Sequence, residues 1–117
     1  YTVVLDESKQ EFIDAFKEME MYNDSISALK NYTEVQLESF KENIDDLKIN
    51  KTNINVKNIS SSVYEFHGKV EGTKIGYLVG FIEGKEKMYL IMSWTLENRF
   101  KKYEDTFKII QESFKFI

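Results

Sequence analysis

Residues Val63–Phe114 read VYEFHGKVEGTKIGYLVGFIEGKEKMYLIMSWTLENRFKKYEDTFKIIQESF, and this stretch decides the fold. From Val63 to Glu71 the side chains alternate. Tyr64, Phe66 and Val70 fall on one side, Glu65, His67 and Lys69 on the other. A period of two predicts a strand with one wet face. Glu71-Gly72-Thr73-Lys74 predicts a hairpin turn, with the glycine supplying a positive φ. Ile75–Ile82 then carries large apolar side chains on both faces, Gly76 and Gly80 excepted. Glu83-Gly84-Lys85-Glu86 predicts a second turn of the same kind. Lys87–Leu96 is again apolar on both faces, with Met88, Leu90, Met92 and Trp94 opposing Tyr89 and Ile91. Strands of that type lie centrally and are covered on both sides. A helix, or a partner, is therefore expected over each face. Asn98 can cap a last helix from Arg99 to Phe114. Its seam of Phe100, Tyr103, Phe107, Ile110 and Phe114 suits docking on a sheet better than a coiled coil, which favours Leu and Ile.

Upstream, Tyr1–Leu5 is a short run with two Val residues and predicts an edge or early strand. Asp6-Glu7-Ser8 precedes a helical pattern in which Phe12, Phe16, Met19 and Tyr22 share a face over residues 8–22. Asn23-Asp24-Ser25 breaks it, and Ile26–Lys30 predicts a short helical turn. Asn31 or Thr33 can cap a second helix over residues 32–46, Thr33 and Gln36 having the side chains of a capping box. Its apolar positions are Leu37, Phe40, Ile44 and Leu47. Leu47–Ile59 changes period, with Leu47, Ile49, Ile54 and Val56 as the buried set of a strand that bulges near Lys51-Thr52-Asn53. Ser60-Ser61-Ser62 reads as a loop. The expected architecture is one α+β domain over residues 1–117: an antiparallel sheet of about five strands packed by helices, in the order β-α-α-β-β-β-β-α.

Composition narrows function mainly by exclusion. The 117 residues carry a net charge of −4, and Lys+Arg are 16 against 20 acids. Nucleic-acid binding needs clustered positive charge to release counterions, and this chain has none. Without cysteine there is no disulfide, thiolate metal site or Cys nucleophile. Nine Phe and seven Tyr supply a core without staples. The longest apolar run, Met88–Leu96, is about half of what spans a bilayer. The opening at Tyr1, already in a strand pattern and without an initiator Met, leads to the expectation that residues upstream have been removed.

No set of residues converges on a reaction. His67 is the one histidine and lies on the polar face of its strand, where a surface role outweighs a catalytic or metal one. Asp45-Asp46 and Glu104-Asp105 are adjacent acids, and neighbours on a helix point about 100° apart. Neither pair meets on one atom. No phosphate-cradling glycine loop or nucleophile elbow occurs. Gly68, Gly76 and Gly80 lie inside strands and are read as room for helix Phe and Tyr rings. The less favoured reading is a shallow ligand groove floored by these glycines and lined by Trp94 and Tyr89; Trp94, in a doubly apolar strand, is read as core. Asn23, Asn31, Asn50 and Asn58 match the glycosylation acceptor pattern, a match also expected by chance. The residues imply no catalytic, cofactor-binding or metal site.

Tyr1–Lys9, the Tyr32 helix, the sheet through Tyr77, Tyr89 and Trp94, and the closing Phe107-Lys108-Ile109-Ile110-Gln111-Glu112-Ser113-Phe114 resemble PsbP/DcrB-type domains, in particular small lipoproteins of Gram-positive bacteria. The resemblance covers Tyr1 to Phe114 and is made of packing residues. It implies an antiparallel sheet between helices and a non-catalytic binding or accessory role. It further implies an extracellular or cell-surface location on an upstream lipid anchor, and another surface protein as partner. Such domains open with an extra hairpin, often with Pro and Trp. This chain has no Pro, so that hairpin is expected to be missing, leaving part of the sheet unpaired. A monomer or weak dimer is expected. One alternative is a ligand carrier or enzyme of cystatin or NTF2-like cone shape, with a cavity between helix and sheet reached by His67 or Tyr64; another is an oligomeric structural protein in which strand edges pair between chains.

Overall fold

The computed structural model describes residues 1–54, 56 and 59–114. Five strands and three helices follow in the expected order: β1 (Thr2–Ser8), α1 (Lys9–Glu18), α2 (Ala28–Asn43), β2 (Asp45–Lys51), β3 (Ser61–Val70), β4 (Thr73–Glu83), β5 (Lys87–Leu96) and α3 (Glu97–Glu112). The strands form one antiparallel sheet in the order β1-β5-β4-β3-β2. Four of them are a meander, and β1 closes on the far side of β5. The Asn58 acceptor pattern and part of the expected Leu47–Ile59 strand lie outside the described residues.

The doubly apolar strands behave as their patterns require. Every residue of β4 from Gly76 to Ile82 is buried. On one face α1 and α2 cover Phe66, Tyr77, Val79, Phe81, Met88 and Leu90, with Phe12 and Tyr32 between the layers. On the other face α3 sets Phe100 and Phe107 against Val63 and Leu78. The domain is thus three layers, helices, sheet and helix.

Glu83, at the end of β4, orients the two-helix layer. Its Oε2 pairs with Lys9 Nζ at 2.7 Å, and its Oε1 accepts from Leu29 N at 3.1 Å in the first turn of α2. A carboxylate there satisfies an unpaired helix donor and complements the helix dipole.

Helix ends differ from the sequence expectation. Ser8 caps α1, accepting from Glu11 N. Ser27 caps α2 by accepting from Lys30 N at 3.1 Å, so the helix begins before Asn31 and Thr33. Both of those are buried inside it, and the capping box does not form. Asn31 instead ties the preceding loop down: its Oδ1 accepts from Asn23 N, and its Nδ2 donates to Asn23 O and Ser27 O. α2 stops at Asn43, so Asp45, Asp46 and Leu47 belong to β2. α1 ends at Glu18 and leaves Met19 exposed. α3 starts at Glu97, without a side-chain cap from Asn98.

Two further expectations change. Leu47 and Ile49 pack towards α1 and α2, whereas Ile54 and Val56 pack on the α3 side. What read as one strand therefore serves two layers. The Glu71-Gly72 turn has φ of 51° and 81°, the left-handed pair of a tight hairpin. The second turn is of another kind: Gly84 N donates to Lys87 O at 2.8 Å, and none of its residues has positive φ.

The strand glycines make room on the sheet, but only one of them for an aromatic. A Cβ on Gly76 would collide with the Phe100 ring. One on Gly68 would meet Ile44 and the β2 backbone, and one on Gly80 would meet the Gln111 amide. Gln111 is fully buried on α3, its Nε2 donating to Ile91 O at 2.9 Å. Its Oε1 has no partner and lies against Gly80. The docked seam is therefore Phe100, Phe107, Ile110, Gln111 and Phe114, with Tyr103 at the rim, 37 % exposed.

Two substitutions test this packing. Phe107→Ala is expected to lower urea-melt stability by about 3–5 kcal/mol. Gly80→Ala is expected to cost about 1–3 kcal/mol by displacing Gln111. In the Gln111→Ala background the same Gly80→Ala change should cost far less, because the colliding amide is gone.

Candidate functional site

His67 sits on β3 opposite Gly76 of β4. Because Gly76 has no side chain, Phe100 drops onto the sheet there, and its ring lies 5.1 Å from the imidazole. The same docking brings Glu97, in the first turn of α3, to the other side of the ring. Nδ1 of His67 is 2.8 Å from Glu97 Oε2, and Nε2 is 3.1 Å from Glu65 Oε2. Glu65 shares a strand face with His67, two residues away, so half of this arrangement follows from strand geometry.

A ring with a carboxylate on each nitrogen is best satisfied as imidazolium, since both nitrogens then donate. Burial alone would lower the His67 pKa. The hydrogen bonds and charges of Glu97 and Glu65 outweigh it, and the net shift is upward. The charged groups around the ring are Asp46 and Lys48 from β2, Lys69 from β3, Lys74 from β4, and Lys101 and Glu104 from α3. Asp46, Lys48, Lys69 and Lys74 border an open depression of about 250 Å³ on one side of His67, and Lys101 and Glu104 border a second, of about 330 Å³, with His67 and Glu65.

This group does little chemistry as arranged. An imidazolium engaged at both nitrogens has no lone pair for a metal or a proton. Among the described residues, no cluster of three or more His, Cys, Asp and Glu side chains is set to hold a metal ion. Asp46 pairs loosely with Lys69 at 3.7 Å. Glu104 borders the His67 depression, while Asp105 is exposed. Neither acid pair converges.

The other candidates separate. Asn31 is buried and committed to three hydrogen bonds, so it cannot accept a glycan in the folded chain. Asn23 accepts from Ser25 N and Oγ in a local turn. Asn50 is exposed on β2. Tyr89 packs on Phe114, ring centroids 5.3 Å apart.

Trp94 packs against the α1/α2 core but stays half-buried, and it stacks on Tyr1 at 5.8 Å. It belongs to a strip that sequence reading missed. Val3 pairs with Met92 and Leu5 with Leu90 across β1 and β5, which places them on the α1/α2 face beside Trp94 and Leu96. There the two helices do not cover the sheet fully: Val3, Met92 and Trp94 are half-buried, and Leu5 and Leu96 are 53 % and 44 % exposed. The signal available in the sequence was length. Two helices of 10 and 16 residues, running over five strands, leave part of one face bare.

The His67 cluster makes stability pH-dependent in a definite direction. The folded pKa lies above the unfolded value of about 6.5, so the contribution is fully present below that value and is lost as pH rises through the folded pKa. Urea stability should therefore fall between mildly acidic and mildly alkaline pH. His67→Gln should flatten that slope, which equilibrium melts across the pH series would check.

No protein-family model and no curated protein sequence matches the chain. A solved structure does. The chain is similar in fold to PA94 from Pseudomonas aeruginosa, a protein of unknown function described as a candidate regulator, with a TM-score of 0.73. The superposition covers 99% of this chain and 72% of that one at 15% identity. At that identity the two share an architecture, an antiparallel sheet between helices.

Proposed function

We propose that this chain is a non-catalytic binding or accessory domain whose partner is another protein. The single observation behind the reading is the incompletely covered apolar strip of Val3, Leu5, Met92, Trp94 and Leu96 on the sheet. Clustered apolar surface centred on an aromatic anchor suits protein recognition, where Trp and Tyr supply area at low entropic cost. With the sequence resemblance to PsbP/DcrB-type lipoproteins as its support, the location we propose is outside the cytoplasm, on a lipid anchor.

A ligand-carrying or enzymatic cone is the less favoured reading. Phe12, Tyr32, Phe66, Tyr77 and Phe81 fill the space between helices and sheet with rings in edge contact, where that reading needs a cavity. His67 lies on the opposite face, against α3.

A photo-crosslinking residue at Met92 or Leu5, expressed in the native host, tests the proposal. Adducts with a discrete protein, recovered from the cell-surface fraction, are expected at these positions. Lys101, on α3, should give none. Equal labelling at all three positions, or none at the strip, would overturn the reading.

A further inference from the structure

The α3 face of the sheet gathers positive charge that the sequence scatters. His67 and Lys69 project there from β3, two residues apart on one face. Lys48 of β2 stands directly opposite His67, and Lys74 of β4 directly opposite Lys69. Strand spacing puts the four positions within a patch of about 7 by 10 Å. All four border the same depression of about 250 Å³.

Like charges directly opposite each other on neighbouring strands repel and destabilise the sheet. Lys69 and Lys74 are such a pair, in a chain whose net charge is −4. In the next row on the same face Lys48 opposes the imidazolium of His67. The acids nearby are committed elsewhere or reach only loosely. Glu65 and Glu97 are engaged by His67, and Asp46 approaches Lys69 at 3.7 Å. Among the described residues no carboxylate lies within ion-pair distance of Lys48 or Lys74. A register that aligns these cations breaks a local rule of sheet design, and such breaks mark functional positions. Two ammonium groups are left for an outside anion.

We infer that Lys48, Lys69 and Lys74, ranged about His67, form a binding site for the phosphomonoester group of a small soluble molecule. Such a group carries about −1.5 to −2 charges at neutral pH, which matches the two unpaired ammonium groups. A diester carries one charge and would leave one of them unmatched. Lysine binds phosphate as a point charge with rotatable donors, without the bidentate geometry of Arg. His67 contributes charge rather than a donor, because both its nitrogens are engaged. The depression is open, so the phosphate seats against the sheet while the rest of the molecule faces water. The site lies on the opposite face from the apolar strip and stands independently of what the strip binds.

Titration of the isotope-labelled chain with phenyl phosphate, followed by amide chemical shifts at neutral pH and fixed ionic strength, is the test. Saturable shifts centred on His67, Lys69 and the strand positions facing them are expected, and chloride should produce none. Lys48→Gln and Lys74→Gln should each weaken binding about fivefold or more, while Lys85→Gln, in the turn between β4 and β5, should leave it unchanged. Urea melts supply a second readout that loss of fold cannot imitate. Without ligand, Lys74→Gln should raise the unfolding midpoint, because Lys69 loses its like-charged neighbour. With phenyl phosphate present, the same variant should forgo most of the stabilisation that the parent chain gains. Shifts that do not saturate, Lys48 and Lys74 variants that bind as the parent does, or a lower midpoint for ligand-free Lys74→Gln would each overturn the inference. So would co-sedimentation with phosphatidate vesicles in a chain that shows no response to phenyl phosphate.

Discussion

The double burial of β4 is the constraint on which this structure depends. From Gly76 to Ile82 both faces of that strand are out of water. A strand in that position cannot exist alone. It requires hydrogen-bonded neighbours on both sides and apolar cover above and below. β3 and β5 supply the first, and the two helical layers supply the second. Each helix is amphipathic and marginal by itself, so its stability comes from this docking rather than from intrinsic propensity. The order of elements along the chain then follows, with two helices before the meander and one after it, each layer drawn from one side of the sequence.

The glycines on β4 convert that general requirement into a specific seating. Gly76 takes Phe100 and Gly80 takes Gln111, eleven residues on, or three turns of helix. α3 is therefore held at two points along one strand. The Phe100 seat also fixes Glu97, and with it the polar cluster around His67. Core packing and the one concentrated charge arrangement on this face share an origin.

How much of this was legible in the sequence depended on whether the residues kept to one pattern. Residues 63–96 alternate or stay apolar apart from two short polar turns, so the strands, the first turn and the need for two covers could be read directly. The last helix was legible for the same reason, except at Gln111. A buried amide resembles a surface residue until its backbone partner, Ile91 O, is known. α2 was misplaced because Ser27, Asn31 and Thr33 are all competent caps, and only packing decides among them. Ile54 and Val56 continue the alternation of Leu47 and Ile49, so nothing local announces their move to the other layer. Of the His67 cluster, Glu65 was visible two residues away, whereas Glu97 needed the sheet and the helix to be in place. Trp94 packs on the core as its strand pattern implies, but a doubly apolar strand does not announce that a helix can stop short of it and leave it partly exposed.

The closure of β1 onto β5 has a consequence for how the chain is made. Thr2 and Ser93 share a hydrogen bond across 91 residues of sequence. On the ribosome, the first strand emerges long before the surface that receives it. Local hairpins form in microseconds, while pairings this distant wait on loop closure. The β3-β4-β5 meander can assemble as a unit of neighbours, and the amino-terminal strand joins as a latecomer. Until then the receiving flank of β5 stays open, and chaperones or aggregation would compete for the nascent protein at that flank.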